Sequence, residues 1–271
     1  MSFDYPAYLD CFLSGDDDAL VARFFAPDCE MRSASGVRRG HEGMREFLAW
    51  AHDGVRECPR VQHYLQDADT VFADIDMDFH ATAHRPDFPF GEMHPGDSLT
   101  VKFLARYDLD DNGRVKVLTT AAWPPGVGVT TLPPLGGHPS QVAAYHAYAA
   151  AFSAGDPARY TRFYTDDVVL ELGSVPRIEG AAGIADFYTR MFQTVRETLT
   201  IHDLDATDEH LVVDCTSRFT AIADAPDFVV APLAKGDFVE VGVKVTYTLR
   251  DGYVAHIGIE RTRAPQVTRA G

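Results

Sequence analysis

Two histidines carry the most chemistry in this chain. An imidazole takes and gives a proton near neutral pH, which elimination and isomerisation both need. His63 leads into a stretch of alternating polar and apolar residues, and His80 lies within it. Asp78 and His84 share the face of His80, and Arg106 and Arg38 offer guanidinium groups to a phenolate or a carboxylate. Phe79, Phe90, Phe103 and Trp123 would serve as aromatic walls of a pocket. A metal site built from Asp78, His80 and His84 fails on geometry. Residues i and i+4 of a strand stand about 13 Å apart, too far to share one ion, so none is expected. No G-x-S-x-G elbow, P-loop or GxGxxG turn occurs, which argues against hydrolase, nucleotide and dinucleotide chemistry.

The elements that must position these groups follow from periodicity. Tyr5, Tyr8, Leu9 and Phe12 have helical spacing up to Gly15. Asp16-Asp17-Asp18 opens a second helix, with Leu20, Val21, Phe24 and Phe25 apolar and Pro27 as its end. Cys29 to Ser35 reads as extended, and His41 to about Gly54 as a third helix. From Val71 to His84 the alternation is strict: Ala73, Ile75, Met77, Phe79 and Ala81 face one way, Asp74, Asp76, Asp78 and His80 the other. Pro86 to Gly96 is a long Pro/Gly-rich connection, and two further strands follow, Ser98–Asp108 and Arg114–Trp123.

The whole arrangement occurs twice. Pro86-Asp87-Phe88 and Gly96-Asp97 return as Pro226-Asp227-Phe228 and Gly236-Asp237, an offset of 140 residues. The same offset pairs Val55-Arg56-Glu57 with Val195-Arg196-Glu197, Tyr8 with Tyr148, and Tyr107 with Tyr247. A repeat this long is a whole domain. The reading is two domains, 1–124 and 140–263, a Pro/Gly-rich linker at 125–139 and a tail at 264–271. In the second copy, helices are expected at Gln141–Ala154, Pro157–Tyr164 and Ala182–Val195. The fold class is α+β: two tandem cone-shaped domains, each with three helices packed in a strongly curved antiparallel sheet.

Composition narrows the partners. With 40 acidic and 24 basic residues the formal charge is −16, which disfavours nucleic acid and anionic membrane surfaces. Cys11, Cys29, Cys58 and Cys215 have no C-x-x-C spacing and read as free thiols of a reducing cytosol. The start has no basic, apolar leader, and no apolar run approaches the roughly 20 residues of a membrane span. A cytoplasmic protein is expected, with homo-oligomerisation left open.

The order helix-Gly-Asp-helix, Phe24-Phe25-x-x-Asp28, Gly40-x-x-Gly43-x-x-x-Phe47 and a β-rich second half resembles the nuclear transport factor 2-like superfamily. Val61-Gln62-His63, His80 to Arg85 and Ala105-Arg106-Tyr107 resemble recurring stretches of its SnoaL-like branch. The resemblance covers essentially the whole chain, twice. It implies a cone with a pocket at its open end and activities that range over isomerases, polyketide cyclases, dehydratases, a diarylpropane lyase and non-catalytic binding modules. Tyr8 and Tyr148, seven residues before Gly15 and Gly155, match the isomerases' oxyanion-hole tyrosine. The isomerases' acids would fall near Ser33 and Leu172, and near Ala105 and Val245, none of which is acidic. His63 matches the dehydratases' histidine at the start of the sheet, and His80 its partner on the next strand. The second copy has Asp203 and Thr220 there.

These matches imply a cofactor-independent lyase, of the dehydratase or deformylating type, acting on a hydrophobic aromatic alcohol such as a lignin-derived diarylpropane dimer. His63 is the expected base, His80 the acid, and Tyr8 and Arg106 the polarising donors. Arg38, Asp78, Phe79, His84, Phe90, Phe103 and Trp123 would bind substrate. The first domain would be catalytic and the second structural, with Tyr148, Glu171, Arg218 and His256 of the second as reserve candidates. The alternatives are a ketosteroid-isomerase-like or cyclase enzyme, and a non-catalytic small-molecule binding module.

Overall fold

The computed structural model describes residues 3–123, 132–173 and 175–270, so the first part of the linker, 125–131, lies outside the described residues. The chain forms two compact units. One runs to Met93 and resumes at Ser98; the other takes His94–Asp97 and the chain from Leu132 onward.

In the first unit, α1 (Tyr5–Ser14) starts where the Asp4 carboxylate accepts the Ala7 N–H at 3.0 Å, and ends at Gly15, whose φ of 74° is the left-handed region. Asp16 caps α2 (Asp17–Phe24) in the same way. Pro27 does not end this helix: the chain is already extended at Phe25, and Pro27 lies inside β1 (Phe25–Ser33). Then come β2 (Gly36–Arg39), α3 (Gly40–His52), β3 (Val55–Gln66), β4 (Thr70–Ala81), β5 (Ser98–Leu109) and β6 (Val115–Ala122). The sheet order is β2-β1-β6-β5-β4-β3. All neighbours are antiparallel except β1 and β6, which run parallel, so the sheet is mixed. Val71, Ala73, Ile75 and Tyr107 on its inner face are buried with Tyr5, Tyr8 and Phe24 of the helices.

The second unit repeats the plan with α4 (Gln141–Ala154), α5 (Pro157–Tyr160), a 3-10 turn (Thr161–Phe163), β7 (Tyr164–Glu171), β8 (Ile178–Glu179), α6 (Ala181–Met191), β9 (Val195–Ala206), β10 (His210–Ala221), β11 (Phe238–Arg250) and β12 (Tyr253–Arg261). Its order is β8-β7-β12-β11-β10-β9, again with one parallel pair, β7 and β12. The tail read from sequence holds a short strand, β13 (Gln266–Thr268), paired with β11. The helix foreseen to run to Val195 stops at Met191, because Val195 already begins β9.

Candidate active site

The strand alternation of the second unit brings one acidic residue to an apolar face. On β9, Glu197 stands opposite Phe219 of β10, and Leu199 opposite Ser217. Phe219, Ser217 and Glu197 all line a cavity of about 380 Å³, closed by Phe187, Tyr188 and Met191 of α6, by Val241 and Val243 of β11, and by Phe228 and Val230 of the loop after β10. Glu197 is 7% exposed and Ser217 4%. The Ser217 hydroxyl donates to Glu197 Oε1 at 2.8 Å. Burial penalises the carboxylate and pushes the Glu197 pKa up to about 7, with the Ser217 bond working in the opposite direction. Such a group accepts and returns a proton at neutral pH. Burial also holds Tyr188 far above the ordinary tyrosine range, so its phenol stays neutral. An open depression of about 520 Å³ shares Leu172, Gly173, Val175 and Ile259 with this cavity and adds the polar groups of Glu171, Lys244 and Glu260.

The first domain keeps the carboxyl group and carries larger side chains at three of the corresponding wall positions. Glu57, 140 residues before Glu197, is also raised to about 7 by burial. Its neighbour is His52, 4.0 Å away, whose Nδ1 lies 2.9 Å from Asp17. Where the second domain has Ser217, Val230 and Val243, the first has Met77, Phe90 and Phe103. Phe90 packs against Phe79, Phe88 and Phe103 at ring-centre distances of 5.6, 5.7 and 5.8 Å. With Val55, Ala81, Met93 and Val101 these rings make a packed cluster. Larger side chains thus stand at positions that line the cavity in the second copy.

The structure does not bring the expected residues together. His63 is exposed on the outer face of the sheet. The cause is a bulge: Val61 pairs with Ile75, Gln62 is the extra residue, and His63 therefore stands opposite the outward Asp74. A single inserted residue turns every following side chain to the other face. His80 is on the outer face as well, six residues further along β4, which is roughly 20 Å. It is fully buried, with Nδ1 2.7 Å from Ser98 Oγ. The base–acid pair foreseen from sequence is thus absent as a pair.

The remaining candidates have structural partners. Tyr8 is buried among Phe3, Phe24 and Tyr107, and burial raises its pKa out of working range. Arg106 is exposed and holds Asp108 at 2.7 Å. Asp78 is gripped by Arg60 at 2.7 Å and by Thr100. His84 meets Glu92 at 2.8 Å, Arg38 reaches the Val37 carbonyl at 3.4 Å, and Trp123 is 42% exposed. Phe79 is buried in a hydrophobic cluster, with Phe90 and Phe103 partly buried against it. Of the reserve set, the Tyr148 and Tyr164 hydroxyls share a buried hydrogen bond at 2.8 Å, and Arg218 lies 3.6 Å over the Phe238 ring. His256 stands 3.4 Å from Glu171, which lines the outer depression. Glu197, Ser217, Tyr188 and Arg261, which line the cavity, were not among the residues expected from sequence. The available signal was Glu197 itself, an acid among Val195, Leu199 and Ile201 at inward spacing.

The two curved α+β units, each with helices held inside a mixed sheet, define a tandem cone-domain protein. Residues 6–118 and 145–257 each match the SnoaL-like domain, and the chain belongs to that family, twice over. No curated protein matches it. Among solved structures, a candidate polyketide cyclase from Pseudomonas putida is similar, at 24% identity over 43% of this chain and 86% of its own, with a TM-score of 0.38. One from Xanthomonas campestris gives 24% over 42% and 84%, TM-score 0.38. A Mycobacterium tuberculosis protein described as an LEH-like epoxide hydrolase gives 19% over 43% and 78%, TM-score 0.36. Each spans less than half of this chain. Among the described residues no helix is long and apolar enough to cross a membrane.

Proposed function

We propose that the chain is a cofactor-independent acid–base enzyme whose active site is the cavity of the second domain, with Glu197 as proton acceptor and donor. The observation that carries this reading is a carboxyl group 7% exposed in an apolar cavity, with a pKa near 7. A base whose pKa sits close to the working pH combines a useful ionised fraction with a strong pull on the proton. Ser217 holds Oε1, and among the described residues Oε2 has no hydrogen-bond partner, so it is the oxygen that faces a substrate.

The cavity volume falls in the range of roughly 300–1,000 Å³ typical of small-molecule sites. Its phenylalanine and valine walls suit a hydrophobic, aromatic or polycyclic body. Glu197 removes a proton from a carbon activated by an adjoining carbonyl or ring, and the carboxylic acid so formed gives that proton back. Returned to another carbon, it yields an isomer. Returned to a carbonyl oxygen as the carbanion closes on that carbonyl, it completes a cyclisation. Returned to a departing hydroxyl, it releases water. One carboxyl group suffices for the first two. The lyase reaction on an aromatic alcohol needs the hydroxyl on the same side as the proton, and a diarylpropane diol belongs in the trial set on that basis.

Mass spectrometry tests this in deuterated buffer, with carbonyl-bearing polycycles, aryl alcohols and diaryl diols offered to wild type and Glu197→Gln. Deuterium uptake with rearrangement, or loss of water, should occur in wild type and fall at least about a hundredfold in the variant. Full activity of Glu197→Gln would refute the assignment. Tight binding of these compounds with no turnover would make the domain a binding module.

A further inference from the structure

We infer that the molecule held in the second-domain cavity is an elongated amphiphile with a carboxylate, or an equally planar oxyanion, at one end, and that Arg261 binds it. This rests on the cavity being the ligand site, but not on which reaction follows. Arg261 is the last residue of β12 and pairs with Val243, itself a cavity wall, so its side chain leaves the sheet on the cavity face. It lines the cavity and is exposed, which puts its guanidinium at the solvent end.

Acidic partners are abundant in this chain, with 40 carboxylate side chains against 24 basic ones. Arg60, Arg159 and Arg250 all have theirs, in Asp78, Asp97 and Asp167. Arg261, like Arg56, Arg190 and Arg196, has no carboxylate partner among the described residues, although Glu260 is next to it in sequence, and of these four it is the one that lines the cavity. The alternation of the strand sends that neighbour to the other face, opposite Lys244. A permanently charged fork with five N–H donors is thereby left at the mouth of an apolar cavity, which is the arrangement that recognises a planar oxyanion.

The register also sets the ligand's length. Glu197 stands opposite Phe219, and Phe219 opposite Val239; Val243, four residues further along β11, stands opposite Arg261. Three strand spacings and four residues put the two Cα atoms on the order of 20 Å apart along the sheet. The sheet is curved and both side chains reach inward, so the gap between carboxyl and guanidinium is shorter than this path, and a ligand of about two-ring length spans it. Its anion sits at the end remote from Glu197, where it repels the carboxylate least.

Calorimetric titration at pH 6, where Glu197 is mostly protonated, separates this from a merely solvated strand-end arginine. The probes are 4-biphenylacetate and its neutral methyl ester. Wild type should bind the acid about tenfold or more tighter than the ester, as one charge-assisted contact provides. Arg261→Gln should remove that preference and leave ester binding unchanged, whereas Arg250→Gln, with the same loss of charge at a distant pair, should keep it. Equal binding of acid and ester to wild type, an equal loss of both in Arg261→Gln, or binding of neither probe would overturn the inference. Glu197→Gln should retain the acid preference. Acid preference without turnover by wild type would leave this inference standing and remove the catalytic reading alone.

Discussion

A glutamate keeps its ordinary pKa of 4.5 only while water can solvate its charge. Glu197 has exchanged that water for phenylalanine and valine side chains, and one hydroxyl donor is all that favours its ionised form. Removing the donor should therefore raise the pKa further. The pH–rate profile of Ser217→Ala should have its ascending limb above the wild-type midpoint near 7, and a limb at or below it would contradict the hydrogen bond's role. His63 has the opposite standing. Its imidazole is exposed on the outer face, so His63→Ala should change turnover by less than about twofold and stability by less than about 0.5 kcal/mol, checked by steady-state kinetics and urea unfolding.

At the scale of elements, one cone plan carries different side chains at the same wall positions in its two copies. The difference lies in a few side chains on the loop after the long strand and on the next strand. Val230 and Val243 line the cavity, and the first domain has Phe90 and Phe103 at those positions, packed against each other. The double variant Val230→Phe/Val243→Phe should bring those rings into the second domain and fill its cavity. Probe binding by titration should weaken by at least about tenfold, while the melting temperature holds or rises because a void is filled rather than a core overpacked. The helix ends are legible in the same terms. Gly155 closes α4 at φ 73°, and a Cβ there would meet Arg196 and Phe192. Gly155→Ala should cost on the order of 1–2 kcal/mol in chemical denaturation.

On the scale of the molecule, both domains carry a glutamate at the same repeat position, buried in the second and largely buried in the first, and desolvation raises both carboxyls to about 7. A carboxyl whose folded pKa exceeds its unfolded value binds more protons in the folded state between the two. Its stabilisation is fully present below about 4.5 and is lost as pH rises through about 7. Wild type should therefore melt at a lower temperature at pH 8 than at pH 5, and Glu57→Gln and Glu197→Gln should each reduce the drop. The ceiling for one such group is about 3 kcal/mol. Melting curves at the two pH values decide it, and an unchanged drop in both variants would show that the two carboxyls titrate normally.

The repeat, the family and most helix and strand positions were legible in the chain, because a 140-residue offset, period-2 alternation and glycine or aspartate at helix ends are local or one-dimensional signals. What tertiary structure alone decided is which face each group ends on and where space remains. The bulge at Gln62 turned His63 outward, and no periodicity marks an inserted residue in advance. Cavity volume is the small difference between a sheet's curvature and the summed size of side chains from four strands, a helix and two loops. Met77, Phe90 and Phe103 each look as suitable for a pocket wall as for a core until their neighbours are known. Only with the sheet closed around it did Glu197, an unremarked acid in a strand, become the one carboxyl facing open apolar space in its domain among the described residues.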